Sequence, residues 1–135
     1  VTKPPSFTFG YWERVHLRTF TPEELMRFNG SDSSVPLLLS IRGQVIDVSS
    51  GTNYYGPGAG YSHFAGRDAT RAFVTGCFRS GLTHDLRGLS EKQIQSIDEW
   101  VVFYKEHETY RFVGTLTLPQ IDPGSNLPND TCPKG

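Results

Sequence analysis

Twelve residues near the middle of the chain, Ser49-Ser50-Gly51-Thr52-Asn53-Tyr54-Tyr55-Gly56-Pro57-Gly58-Ala59-Gly60, contain four glycines and a proline. Such a run cannot hold a regular helix or strand. Two sets of short elements must therefore pack around a loop, and loops set on a rigid scaffold are where sites are built. Tyr54, Tyr55 and Tyr61 crowd this one, with Tyr104 and Tyr110 further along.

A chain of 135 residues is one domain's worth, long enough to bury a core without staples. The composition, 36% hydrophobic and 20% charged, is that of an ordinary folded protein. Thirteen basic and fourteen acidic residues give a net charge of −1 with no basic run, which argues against a nucleic-acid binder. The longest apolar stretch runs only from Val35 to Leu39 and contains Pro36, so no membrane-spanning helix is expected.

Local signals place the elements. Residues 1–19 read as an extended aromatic arm bearing Phe7, Phe9, Tyr11 and Trp12. The domain occupies 20–118. Thr21-Pro22-Glu23-Glu24 is a helix start with a capping box and proline at its first position. Leu37 to Ile41, the turn Arg42-Gly43 and Gln44 to Val48 predict a hairpin. Short helical pieces are expected around Tyr61–Ala65 and Asp68–Thr75. Ser90-Glu91-Lys92-Gln93 caps a longer helix whose apolar face carries Ile94, Ile97, Val101 and Tyr104. Tyr110 to Leu118 reads as a closing strand. Residues 119–135 are expected to be a poorly ordered tail unless Cys132 ties them down.

Cys77 and Cys132 are too few for a disulfide scaffold. Two readings stand: a bridge closing about 55 residues and worth about 4 kcal/mol, or a core thiol and a tail thiol. Asn29-Gly30-Ser31 and Asn129-Asp130-Thr131 are glycosylation sequons. They lean weakly toward the secretory pathway, and Val1 in place of a methionine leaves room for a removed leader or anchor.

No nucleophile elbow, P-loop, dinucleotide fingerprint or zinc spacing is present, and the carboxylates are scattered. His16, His63, His84 and His107 read as surface or core residues rather than metal ligands. On residue chemistry alone Tyr61 is a core aromatic.

The stretch Tyr55-Gly56-Pro57-Gly58-Ala59-Gly60-Tyr61-Ser62-His63-Phe64-Ala65-Gly66-Arg67-Asp68-Ala69-Thr70-Arg71 resembles the membrane-associated progesterone receptor family, haem-binding relatives of cytochrome b5. Phe20-Thr21-Pro22-Glu23-Glu24-Leu25, Gly43-Gln44-Val45-Ile46-Asp47-Val48 and Tyr110-Arg111-Phe112-Val113-Gly114 extend the likeness over roughly residues 18 to 118. Residues 65–76 look most like its secreted neuferricin branch.

The resemblance implies an α+β, cytochrome b5-like fold, a small mixed sheet with short helices around a haem crevice. It implies haem b (iron protoporphyrin IX) as cofactor and Tyr61 as the iron ligand, in place of a histidine. A phenol ionises near pH 10, but ferric iron favours its deprotonated form. Phenolate ligation in turn favours ferric over ferrous iron. Tyr55 and Tyr110 match further tyrosines near the haem, while Thr109 stands where the family usually has lysine. Arg67 and Asp68 also match, either as haem contacts or as an ion pair or cap supporting the loop.

His63 is a rival ligand, alone or with His84. Cys77 lies near the second cytochrome histidine, so a thiolate ligand is a further alternative. The expected function is non-enzymatic haem binding with five-coordinate iron, the open haem face admitting a protein partner or a second copy. The alternative is a secreted signalling or interaction module in which haem is regulatory or absent. Electron transfer and steroid binding are disfavoured. The expected location is the secretory lumen or outside the cell, or a membrane reached through an anchor upstream of Val1.

Overall fold

A computed structural model describes residues 18–130 and 132. The arm residues Phe7, Phe9, Tyr11 and Trp12 lie outside the described residues. Four strands form one mixed sheet in the order β1-β4-β3-β2. Strand β1 (Arg18–Phe20) runs parallel to β4 (Arg111–Leu116), and β3 (Gln44–Asp47) is antiparallel to both β4 and β2 (Leu38–Ile41). Arg18 and Thr19 thus belong to the sheet rather than to the arm. The backbone of β4 offers that segment a parallel pairing.

The sheet is covered on both faces, which explains why Leu38 to Ile41 is buried at every position. Alternate side chains go to different cores. Leu39, Ile41, Ile46 and Val48 join the larger cluster with Tyr55, Phe64, Ile97, Tyr104 and Tyr110. Leu38 and Val45 join Phe20, Leu25, Phe28, Val113 and Leu116 behind the sheet. The predicted hairpin is present, turning through Arg42 at φ 51° and Gly43 at φ 77°.

Helix α1 (Pro22–Met26) has the predicted capping box, with Thr21 Oγ1 accepting from Glu24 N and Glu24 Oε1 from Thr21 N. The segment expected to be irregular begins helically. A 3-10 turn over Ser49–Gly51 leads into the single turn α2 (Thr52–Tyr55), and regular structure stops at Gly56. Local side-chain bonds explain the difference. Ser49 N and Oγ donate to Asp47 Oδ1 at 2.9 and 2.6 Å, and Thr52 Oγ1 donates to Ser49 O at 2.9 Å.

A second 3-10 turn (Ser62–Phe64) and α3 (Ala72–Thr75) follow. Helix α4 (Glu91–Glu106) starts at the Ser90/Gln93 capping box and packs Ile97 and Tyr104 inward. The tail is tied in two places. Cys77 and Cys132 are bridged with Cα atoms 5.7 Å apart. Arg71, whose side chain is 2% exposed, donates Nε and Nη2 to the two Asp130 carboxylate oxygens at 2.8 and 2.6 Å, and Nη1 to the carbonyls of Asp85 and Arg87. The sequence condition for an ordered tail is therefore met up to the bridge.

Candidate functional site

Between the tyrosine loop, α3 and α4 lies an aromatic crevice. Tyr61 and Tyr55 form one wall, and Phe64, Ala72, Phe73, Gly76, Phe78 and Trp100 form the rest. Loop geometry sets the two phenols. Tyr61 N donates to Tyr54 O at 2.9 Å, folding the glycine-rich chain back on α2 so that the Tyr55 and Tyr61 rings stand 6.5 Å apart. Tyr61 is 47% exposed at the mouth, whereas Tyr55 is buried behind it.

Tyr110 is buried outside the crevice lining, its ring 6.3 Å from Tyr55. A Cβ on Gly51 would stand 2.3 Å from the Tyr110 hydroxyl, so only glycine admits that close approach. His107 stacks on Tyr110 at 3.7 Å, and its Nδ1 accepts from Thr109 N and Tyr110 N. Nδ1 is therefore the unprotonated nitrogen. Thr109 pairs its hydroxyl with Ser50 Oγ at 2.6 Å, closing the loop's start onto the segment that leads into β4.

Behind the crevice, the Tyr55 and Tyr104 hydroxyls lie 2.6 Å apart. Burial raises the pKa values of Tyr55, Tyr104 and Tyr110 above the ordinary tyrosine value, that of Tyr110 to about 12. These three phenols stay protonated at neutral pH and serve as donors.

Of the five expected cofactor residues, Tyr55 and Tyr61 line the crevice, and Tyr110 reaches it only through the Tyr55 ring. Arg67 and Asp68 do neither: they line a different cleft with Met26, His84 and Pro119. The Asp68 carboxylate is spent on structure. It accepts from Ser40 Oγ, Gly43 N, Thr70 N and Thr70 Oγ1, pinning the hairpin turn to the following loop. Of the two readings the sequence left open for Asp68, haem contact or support of the loop, these bonds are of the supporting kind.

His84 bonds Pro119 O in that second cleft, so His63 and His84 do not converge. Cys77 is in a disulfide, so it offers no thiolate. His63 stacks on Phe78 at 3.9 Å, and its Nε2 is buried without a hydrogen-bond partner among the described residues. Burial lowers its pKa, keeping the ring neutral.

Sequence reasoning missed Tyr104, Phe73, Phe78 and Trp100 as parts of the site. Tyr104 was visible only as the last member of an apolar helical face; the signal was its polar tip, which has to find a partner when buried.

A flat, largely apolar ligand suits this slot. The crevice itself holds about 190 Å³, below the roughly 300–1,000 Å³ of small-molecule sites. Past Trp100, however, it adjoins open depressions of about 390 and 350 Å³. At Gly60 and Gly76 a side chain would meet nothing within 4 Å, leaving room beside the phenol. An iron-bearing macrocycle fits the donor set: one accessible phenol oxygen, a protonated phenol behind it, and aromatic walls.

The family described as Cytochrome b5-like Heme/Steroid binding domain matches residues 21–114. Among curated relatives, Membrane-associated progesterone-binding protein 4 of Arabidopsis thaliana is 49% identical over 110 residues, covering 81% of this chain and 44% of that protein. Neuferricin of Mus musculus is 49% identical over 104 residues, covering 76% of this chain and 39% of its own length. The chain thus spans about two-fifths of the length of these curated relatives. A solved Arabidopsis thaliana protein with a cytochrome b5 like fold superposes with TM-score 0.63 at 39% identity, covering 75% of this chain and 92% of that one.

Proposed function

The chain belongs to the cytochrome b5-like heme/steroid-binding domain family, and from that premise we propose that it is a non-enzymatic haem-binding protein, taking iron protoporphyrin IX into the Tyr61 crevice with ferric iron five-coordinate through the Tyr61 phenolate. The observation that carries this reading is Tyr61 itself, a phenol 47% exposed at the mouth of an aromatic slot. When bound, haem supplies a Lewis-acidic ferric centre. Tyr61 would hold the iron as its phenolate, and its exposure leaves solvent at hand to take the proton. Tyr55 keeps its proton and faces the same slot, so it is placed to donate to the phenolate and moderate its basicity. Phe64, Phe73, Phe78 and Trp100 would shield a bound ring from water.

Phenolate ligation holds iron in the ferric state, which disfavours fast electron exchange. The open face on the Trp100 side leaves space for a protein partner or a second copy. The Cys77–Cys132 bridge and the exposed Asn29 sequon support a secretory or extracellular location.

Hemin titration tests the proposal. The expected result is a saturable high-spin ferric spectrum with a phenolate charge-transfer band, lost in Tyr61→Phe. An unchanged band in that variant overturns the ligand assignment, and a low-spin spectrum points to His63. The relatives' names refer to progesterone and steroid, and the apolar walls of the slot suit a flat steroid too. Binding of progesterone without hemin would favour that second reading.

A further inference from the structure

Tyr104 is wholly buried and lines no part of the crevice, yet its hydroxyl lies 2.6 Å from that of Tyr55, which does line it. Each hydroxyl has one proton, so one donates to the other and the acceptor's proton must go elsewhere. Were Tyr55 the donor, the Tyr104 proton would be left on a wholly buried side chain whose ring has those of Phe73, Trp100, Phe103 and Tyr110 as neighbours, centroids 5.2 to 6.1 Å away. An unmade bond in such a setting is costly. With Tyr104 the donor, the leftover proton belongs to Tyr55, which has the crevice before it.

We infer that Tyr104 is a positioning residue: by donating to Tyr55 it commits the Tyr55 proton to the crevice, as a hydrogen bond aimed at an anionic oxygen there. A donor that itself accepts a bond is polarised and becomes a stronger donor. The inference rests on Tyr61 ligation, which supplies the anion.

The test is spectroscopic and uses the hemin-loaded chain. A phenolate that loses hydrogen bonding binds iron more strongly and its charge-transfer band falls in energy. Tyr104→Phe is expected to move the band to longer wavelength and lower the midpoint potential, and Tyr55→Phe to do so further. The pair Tyr55→Phe/Tyr104→Phe should match Tyr55→Phe alone, because Tyr104 acts only through Tyr55. Replacing Tyr104 with 3-fluorotyrosine keeps its shape, strengthens its donation and should move the band the opposite way, which keeps the test open if Tyr104→Phe folds poorly. An unmoved band in both Tyr104 replacements, or additive shifts in the double variant, overturns the inference. Retention of the band in Tyr61→Phe removes the ligation reading instead, and with it the anion this relay requires.

Discussion

Single atoms set the limits of the crevice. Gly51 leaves no room for a methyl group beside the Tyr110 hydroxyl, where a Cβ would stand 2.3 Å away. Gly51→Ala is expected to destabilise the fold by about 1–3 kcal/mol, the usual cost of overpacking, read as a lower urea midpoint at unchanged slope. The phenols behind Tyr61 have raised pKa values in the fold. The unfolded chain releases those protons near pH 10 while the folded chain keeps them, so stability is full below that pH and declines above it. Thermal unfolding from pH 8 to 11 should show the midpoint beginning to fall near pH 10, and Tyr110→Phe should lessen the fall. The motif singled out Tyr61, Tyr55 and Tyr110, and the fold sets the Tyr55 ring near each of the other two. It did not reveal Tyr104, because a helical periodicity reports which face is buried and says nothing of which hydroxyl that face meets.

At the scale of elements, local signals and tertiary packing divide the work. Helix α4 starts where its capping box says, and that box matters because the helix carries both Tyr104 and Trp100 to the site. Ser90→Ala should cost about 1 kcal/mol, measured by thermal melting. The hairpin was equally legible, from a turn glycine between β-rich runs. Its stabilisers were not: Arg42 N donates to Thr70 Oγ1 and Gly43 N to Asp68 Oδ2, contacts made across more than twenty residues. This is why Asp68, carried over as a cofactor residue by its motif, turned out to hold a turn. The loop's helical beginning was also missed, because glycine content averaged over twelve residues hides the Asp47–Ser49–Thr52 bonds at one end.

Across the whole molecule, the tail is fastened to the wall of the site. Cys77 stands between Gly76 and Phe78, both lining the crevice, and Arg71 on the preceding turn grips Asp130. Cys132→Ser should lower stability by up to about 4 kcal/mol, seen in the urea midpoint. In acid the clamp has a definite sign. The Arg71 hydrogen bond holds Asp130 below the usual carboxylate range, and the Arg87 hydrogen bond does the same for Asp85. Their stabilisation is present above the unfolded carboxylate value of about 4 and is lost as pH falls through the lower folded values. Limited proteolysis of the tail should therefore stay flat from neutrality to about pH 4 and rise below it.

The amino-acid sequence by itself determined the capping boxes, the hairpin turn and the tyrosine loop, because those depend on neighbours within a few residues, and its contiguous motif carried the family and with it the expected mixed sheet. Only the tertiary structure decided that Cys77 meets Cys132, that Arg67 and Asp68 lie in a different cleft from Tyr61, and that Tyr104 backs Tyr55. Each of the contacts that settles these points joins positions 25 or more residues apart, and such meetings exist only once both faces of the sheet have been covered and the loop has been folded back onto α2.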